Sequence, residues 1–324
     1  HTTGRSAAFF SEAYGASSMR ALTSASLNFY TDPPPNFAEH PLLRASGALY
    51  IAREDQRAAL DALEREISTP GLVERRDAAF AIEKVEALTR GYVAECLWEP
   101  GAREIDVHAL HHGYLRGARQ KGAQLLCRAK LAGAKREAGR WVLTTSEGVF
   151  AASVLVNAAG AWGDQIAQIF GVAPLGLRPL RRTACIIPAC GAENRRWPLV
   201  IDVDEEFYFK PDAGNLLLSP ADETLSEPCD AAPEDIDIAI AVDRFERATA
   251  LRVERVLRSW AGLRTVTANR TLVLGFDPGV EGFFWIVGQG GQAGLVAQTK
   301  AHVGEPTQQQ PLGAADLGHG LSQC

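Results

Sequence analysis

Residues 154–162 read VLVNAAGAW, an apolar run that passes directly into a turn of small residues. Val154, Leu155 and Val156 form a continuous branched and aliphatic stretch, the pattern of a strand covered on both faces. Ala158, Ala159, Gly160 and Ala161 then remove nearly all side-chain bulk, so the backbone can lie close to a flat or charged group. Trp162 opens a predicted helix, GDQIAQIFG, that closes at Gly171. Strand, small-residue turn and helix start together make the geometry that places ligands at the carboxyl edge of a doubly wound sheet. The same spacing also suits an ordinary tight connection, since no phosphate-type GxGxxG accompanies it.

At 324 residues and 46% hydrophobic, the chain can bury a large core, and two domains are expected. A formal net charge of -6 without a basic run argues against nucleic acid as a partner. No apolar stretch reaches the roughly 18 residues of a spanning helix, and no secretory leader pattern is present. Cys96, Cys127, Cys185, Cys190, Cys229 and Cys324 form no CxxC pair, so neither a zinc site nor a disulfide framework is indicated. Reduced thiols and a cytoplasmic setting are the expectation, with any membrane attachment peripheral.

Along the chain, residues 17–30 place Met19, Leu22, Ser26 and Phe29 on one predicted helical face, ended by Pro33, Pro34 and Pro35. GALYIA reads as a strand before an amphipathic helix over 54–67 with Leu60, Leu63 and Ile67 inward. YVAECLW at 92–98 suggests another strand, and Asp106 caps a helix stopped by Gly122. AQLLCRAKL, RWVLTTSEG and the 154–156 run make a β excursion and its core strand. FYFK-PDAG-NLLLS reads as a hairpin, and a long helix is predicted from Glu234 and Asp235 toward Trp260. TLVLGFDPGVEGFFWIVGQGG gives two more strands, after which residues from Gln292 onward read as a marginal helix and a flexible tail.

Several groupings offer chemistry. HTTGRSAA sets hydroxyls and Gly4 beside Arg5, which suits a pyrophosphate or ribityl chain as well as a polar surface loop. Tyr14, Arg182, Tyr208 and Arg264 could hold a small carboxylate, because arginine binds carboxylates in bidentate fashion and a phenol adds a directional donor. Gly288, Gly290 and Gly291 follow the apolar FFWIV, where a turn could aim backbone donors at a ligand. His108 and His112 lie four apart, but no HExxH-type carboxylate accompanies them, and no metal site is expected. GxSxG is absent as well.

Taken together, HTTGRSAAFFSEAYG, EHPLL, DVHALHHGYLRG, VLVNAAGAWGDQIAQIFGVAPLGLRPLRRTA, EEFYFKPDAGNLLLSP, WAGLRT and EGFFWIVGQGG resemble, in order, blocks of the D-amino-acid oxidase superfamily of FAD-dependent oxidoreductases. The resemblance is nearest to bacterial D-amino-acid dehydrogenases of the D-arginine type and covers residues 1 to about 291. It implies an α/β fold: an FAD-binding doubly wound, Rossmann-like domain and an α+β substrate domain on a mixed or antiparallel sheet. The expected division is 1–47, 104–175 and 262–324 for FAD, with 48–103 and 176–261 for substrate.

By that resemblance, Thr3, Gly4, Arg5, Ser6 and Ala7 would line the pyrophosphate and flavin, and Leu131 would offer backbone atoms to the adenine. Ala158, Ala159, Gly160 and Trp162 would pass the cofactor closely, while Gly288, Gly290 and Gly291 would approach the flavin pyrimidine edge. Arg182 and Arg264 would clamp a substrate carboxylate beside Tyr14 and Tyr208. The implied reaction is hydride transfer from a D-amino acid to flavin, giving an imine and then a 2-oxo acid, with a quinone or other electron acceptor downstream. Oxidation of secondary amines or 2-hydroxy acids is the related alternative.

Members of the superfamily begin with a βαβ unit bearing GxGxxG, whereas this sequence opens at HTTGRSAA without Met and departs from the family after GQGG. A truncated fragment unable to hold FAD is therefore a further expectation. Phe9 stands where close relatives can carry a histidine, and RASGALYIA lacks the acid that members favouring basic side chains place there.

Overall fold

A computed structural model describes residues 3–67, 69–189 and 196–291. The predicted tail from Gln292 lies outside them, as do Cys190 and Cys324. The dominant feature is a nine-stranded mixed sheet. Its path runs Thr224–Leu225, Arg178–Pro188, Asn215–Ser219, Tyr208–Asp212, Leu199–Asp202, Ala48–Ala52, Glu95–Glu99 and Glu74–Asp77, and Arg258–Val266 also pairs with Arg178–Pro188. Leu199–Asp202 runs parallel to Ala48–Ala52, and the other pairs are antiparallel.

Strand alternation sorts this sheet's side chains into two layers. On one face Leu49, Ile51, Cys185, Ile187, Phe209 and Leu218 pack with Ala241 and Phe245 of helix Asp235–Ala248 and with Ala81 of helix Ala78–Lys84. On the other, Tyr50, Ala184, Ile186, Ile201, Tyr208 and Leu217 meet Leu60 of helix Arg57–Glu66. That helix leaves part of the second face uncovered, and the candidate site occupies the gap.

Three smaller sheets complete the described fold. Leu155–Asn157 pairs in parallel with Phe283–Val287, which pairs antiparallel with Val273–Phe276. Leu131–Glu137, Arg140–Thr145 and Gly148–Ala152 form the β excursion. Phe9–Phe10, Arg103–Ile105 and Leu43–Ala45 form the third. Helix Val107–Gln120 starts where Asp106 accepts a hydrogen bond from the Ala109 amide at 2.8 Å, as its sequence position predicts.

Several expectations need correction. The strand at the opening motif is an edge strand among the described residues, and Val154 and Val156 are exposed, because no described layer covers that face. The long helix ends at Ala248: Thr249 turns extended and bridges Leu88, and Trp260 belongs to strand Arg258–Val266. In helix Ser17–Thr31 the buried set is Met19, Thr23, Ser26 and Tyr30, so the inward face is rotated from the predicted one. Thr23 can be buried because its hydroxyl donates to the Met19 carbonyl at 2.9 Å. The first excursion strand begins at Leu131, later than AQLLCRAKL implied.

Candidate active site

The adjacent arginines at 181 and 182 are separated by the pleat. Arg181 turns to the helix-covered face and donates to Asp237 at 2.9 Å and to Glu234 at the start of helix Asp235–Ala248. Arg182 turns to the opposite face and lines a cavity of about 320 Å³. Gly262 sits directly across the ladder from Arg182 and has no side chain, and Arg264 follows two residues later on the same face. Diagonal neighbours of this kind lie about 7–8 Å apart, so two guanidinium groups share one wall. Tyr208 lines the same cavity because its neighbours Phe207 and Phe209 point into the opposite core.

Tyr14 closes the group. Arg264 Nη1 donates to its hydroxyl at 3.3 Å, and that hydroxyl donates to Glu205 Oε2 at 3.2 Å. Burial raises the Tyr14 pKa against the opposing pull of Arg264, so the phenol stays a donor. Arg264 is held firmly cationic: burial opposes its charge, but Tyr14, Tyr208 and Glu205 outweigh it. Arg182 is buried, and its Nε has no hydrogen-bond partner among the described residues. A buried donor without a partner is costly, and an anionic ligand in the cavity would satisfy it.

A second cavity of about 300 Å³ shares Tyr14, Glu205, Arg264, Gly290 and Gly291 with the first. Glu205 faces both from a turn in which its φ is 55°. The buried Asp202 holds that turn, accepting from Gln56 Nε2 at 3.0 Å and from the Asp204 amide at 3.0 Å. Glu223 lines the second cavity and joins Arg182 to Arg270. Beneath the segment leading to Tyr14, the fully buried Glu99 accepts from Ser11 Oγ at 2.7 Å and from the Glu12 amide at 2.8 Å. A separate groove at Arg75, Arg76, Phe80 and Glu83 offers no comparable chemistry, since Arg75 is already paired with Asp61, Glu64 and Glu95.

Glu205, Glu223, Arg270 and Glu99 were not singled out by sequence reasoning. A charged residue ending the apolar ECLWE run was the available signal for Glu99; the other three sit in polar turns that carry none. Of the predicted cofactor residues, Arg5, Ser6, Ala7, Gly290 and Gly291 line the first cavity, and Gly288 lines the second. Gly4, Leu131, Ala158, Ala159, Gly160 and Trp162 line neither, and the side chain of Thr3 lies outside those described. Arg5 is engaged structurally, donating to the carbonyls of Ala261 at 2.8 Å and Ala231 at 3.1 Å and pairing with Asp230. His108 and His112 lie with ring centroids 4.2 Å apart and planes tilted by 37°, and among the described residues no cluster of three metal-ligating side chains occurs.

The apolar part of the first cavity's lining suits a ring system such as a flavin. Ala7, Ala8, Phe9 and Leu110 line it, as does the glycine pair at 290–291. Gly290 has a φ of 58°, and a Cβ on Gly291 would come within 2.9 Å of Arg264 Cζ. Side chains at these positions would crowd both the arginine and the slot.

Comparisons with known proteins bear on the fold and the family. Mouse mitochondrial dimethylglycine dehydrogenase is 30% identical over 128 residues, which is 38% of this chain and 15% of that protein. The chain thus matches only a small part of that relative's length. Among solved structures, glycine oxidase from Geobacillus kaustophilus superposes with a TM-score of 0.77 at 20% identity, covering 91% of this chain and 81% of that one. L-proline dehydrogenase from P. horikoshii gives 0.77 at 17% identity, with 91% and 80% covered. The family described as DAO, FAD dependent oxidoreductase, matches residues 1–297. Its fold and its cofactor are those that the sequence blocks implied, and the chain belongs to this family of FAD-dependent oxidoreductases.

Proposed function

We propose that this chain carries out the FAD-dependent oxidation of a D-amino acid to its imine, which water converts to the 2-oxo acid. The observation that carries the reading is the placement of Arg182 and Arg264 on one pleated face of one cavity with Tyr14 and Tyr208, Arg182 keeping a buried Nε unpartnered. FAD, when bound, supplies the two-electron acceptor, which a quinone or another acceptor reoxidises.

In this reading Arg182 and Arg264 take the substrate carboxylate, each as a fixed cation with directional N–H donors. Tyr14, kept protonated by burial, and Tyr208 donate beside them. Holding the carboxylate at two guanidinium groups fixes the α-carbon, so most of the rate gain comes from orientation of its C–H bond. Ala7, Phe9 and Leu199 keep water from the reacting face. The cofactor would be held by Thr3, Gly4, Arg5, Ser6 and Ala7 at one side, by Ala158, Ala159, Gly160, Trp162 and Leu131 along the dinucleotide, and by Gly288, Gly290 and Gly291 at the ring. Residues 1–47, 104–175 and 262–324 then serve the cofactor, and 48–103 and 176–261 the substrate.

The likeness to dimethylglycine dehydrogenase favours a second reading, an N-alkylated amino acid held by the same carboxylate clamp. Substrate profiling with FAD present separates the two. In either case Arg264→Ala lowers kcat/KM roughly 100-fold or more, mainly through KM, because a buried charge partner of the carboxylate is lost. An unchanged kcat/KM overturns the assignment.

A further inference from the structure

Arg182, the clamp residue with an unpartnered Nε, already has one ligand: its Nη2 donates to Glu223 Oε1 at 3.2 Å. Glu223 is also gripped from the other side. Arg270 Nη1 donates to the same Oε1 at 3.1 Å, and Arg270 Nη2 donates to Oε2. The two arginines differ in burial: the Arg182 side chain is 7% exposed and that of Arg270 58%. Glu223 itself borders the outer cavity and is about one-third exposed.

We propose that Glu223 is the resident counter-ion of Arg182, which an incoming substrate carboxylate displaces, and that Arg270 is the arm that retains it. This inference rests on the carboxylate-clamp reading above. With no ligand, the hydrogen-bonded carboxylate of Glu223 offsets the charge of this buried cation. A substrate carboxylate reaching Arg182 at its free Nε meets that negative charge on the adjoining Nη2. The bidentate grip of Arg270 gives Glu223 a strong alternative partner, so leaving Arg182 does not strand it.

Charge counting gives the substrate class. Arg5, Arg20, Arg182, Arg264 and Arg270 against Glu66, Asp202, Glu205 and Glu223 leave one net positive charge (five minus four) lining the joined cavities. A single carboxylate balances it. The pair therefore tunes the site for monocarboxylates and sets their affinity, which makes Glu223 and Arg270 affinity-determining residues that act through Arg182.

The test uses butanoate as a non-reacting monocarboxylate probe, titrated calorimetrically into the 324-residue chain with and without added FAD. Glu223→Gln removes the competitor and tightens butanoate binding, and Arg270→Ala leaves Glu223 on Arg182 and weakens it, each roughly three- to tenfold. The double variant matches Glu223→Gln within about twofold, because Arg270 acts only through Glu223. Arg270 is surface-exposed, so its variant reports even if Glu223→Gln folds poorly. Weaker binding in Glu223→Gln, or tighter binding in Arg270→Ala, overturns the inference. Binding that Arg264→Ala abolishes but neither variant shifts overturns the inference alone. If the unaltered chain does not bind butanoate at all, both this inference and the clamp reading fail.

Discussion

The nine-stranded sheet and the three-stranded sheet at the opening motif follow the same alternation rule, yet they use it differently. In the larger sheet both faces are spent: Ala48–Ala52 is buried at all five positions and Leu199–Asp202 at all four. One face takes the helical layer, and the other takes a helix and the candidate site. In the smaller sheet, Phe283, Trp285 and Val287 turn inward to meet Trp141, Ala167 and Phe170. The cross-strand row Val156, Phe284 and Phe276 is on the other face, with Val156 52% and Phe276 43% exposed. Apolar composition alone therefore does not say whether a strand is covered twice; that depends on what packs over it.

The largest effect should come from the doubly covered sheet. Phe209 is fully buried, stacks its ring edge-on against Phe245 at 5.1 Å and lies at the centre of the helix-side core. Phe209→Ala is expected to cost about 3–5 kcal/mol in denaturant unfolding, since it removes transfer energy and leaves a cavity. A loss below about 1 kcal/mol would mean that the core collapses around the gap and that coverage separates the two sheets less than their burial indicates.

An intermediate effect separates the polar groups the two regions bury. The small sheet buries Asn157, whose Nδ2 donates to the Gly163 carbonyl at 2.8 Å and which carries no charge to titrate. The large one buries Glu99. Burial raises its pKa from the ordinary 4.5, while Ser11 and the amides of Glu12 and Ala13 pull it down. A carboxyl raised on folding contributes stability that is full below its unfolded pKa and is lost as pH rises through the folded value. Glu99→Gln removes that dependence, so the variant's stability relative to the unaltered chain should increase as pH rises from about 4.5. Melting the two proteins side by side from pH 4 to 7 reads this directly; a difference that stays constant across the range refutes it.

The same contrast explains what could be read from the sequence. Arg182, Tyr208 and Arg264 were legible because the strand blocks that carry them have strong patterns, and the pleat then brings all three to one face; Tyr14, in the segment between strand Phe9–Phe10 and helix Ser17–Thr31, had no such pattern to place it. Glu205, Glu223 and Arg270 were not, because turn residues reach the cavity only through the pairing of distant strands. Helix Asp235–Ala248 was placed correctly at its start, where the acids Asp235 and Asp237 suit a helix N-terminus. Its end was missed because Thr249 leaves the helix to bridge Leu88, a contact about 160 residues away in sequence that no local signal announces. The opening motif was right about strand, turn and helix and wrong about coverage, since coverage is a tertiary property.

The smallest effect on stability belongs to the open row. Val156 loses little by becoming polar, because half of its surface already meets solvent. Val156→Lys should change unfolding free energy by no more than about 0.5 kcal/mol. Its effect should appear in association instead. Leu155–Asn157 presents an unpaired backbone edge among the described residues, preceded by the exposed Val154. Edges of that kind template pairing with other chains, and a lysine on the edge opposes it by charge and by the cost of burying an ammonium group. Light scattering at rising concentration should show less self-association for Val156→Lys than for the unaltered chain, with melting unchanged. A large drop in melting temperature would instead mean that this face is covered in solution, and that the two sheets are more alike than their exposures indicate.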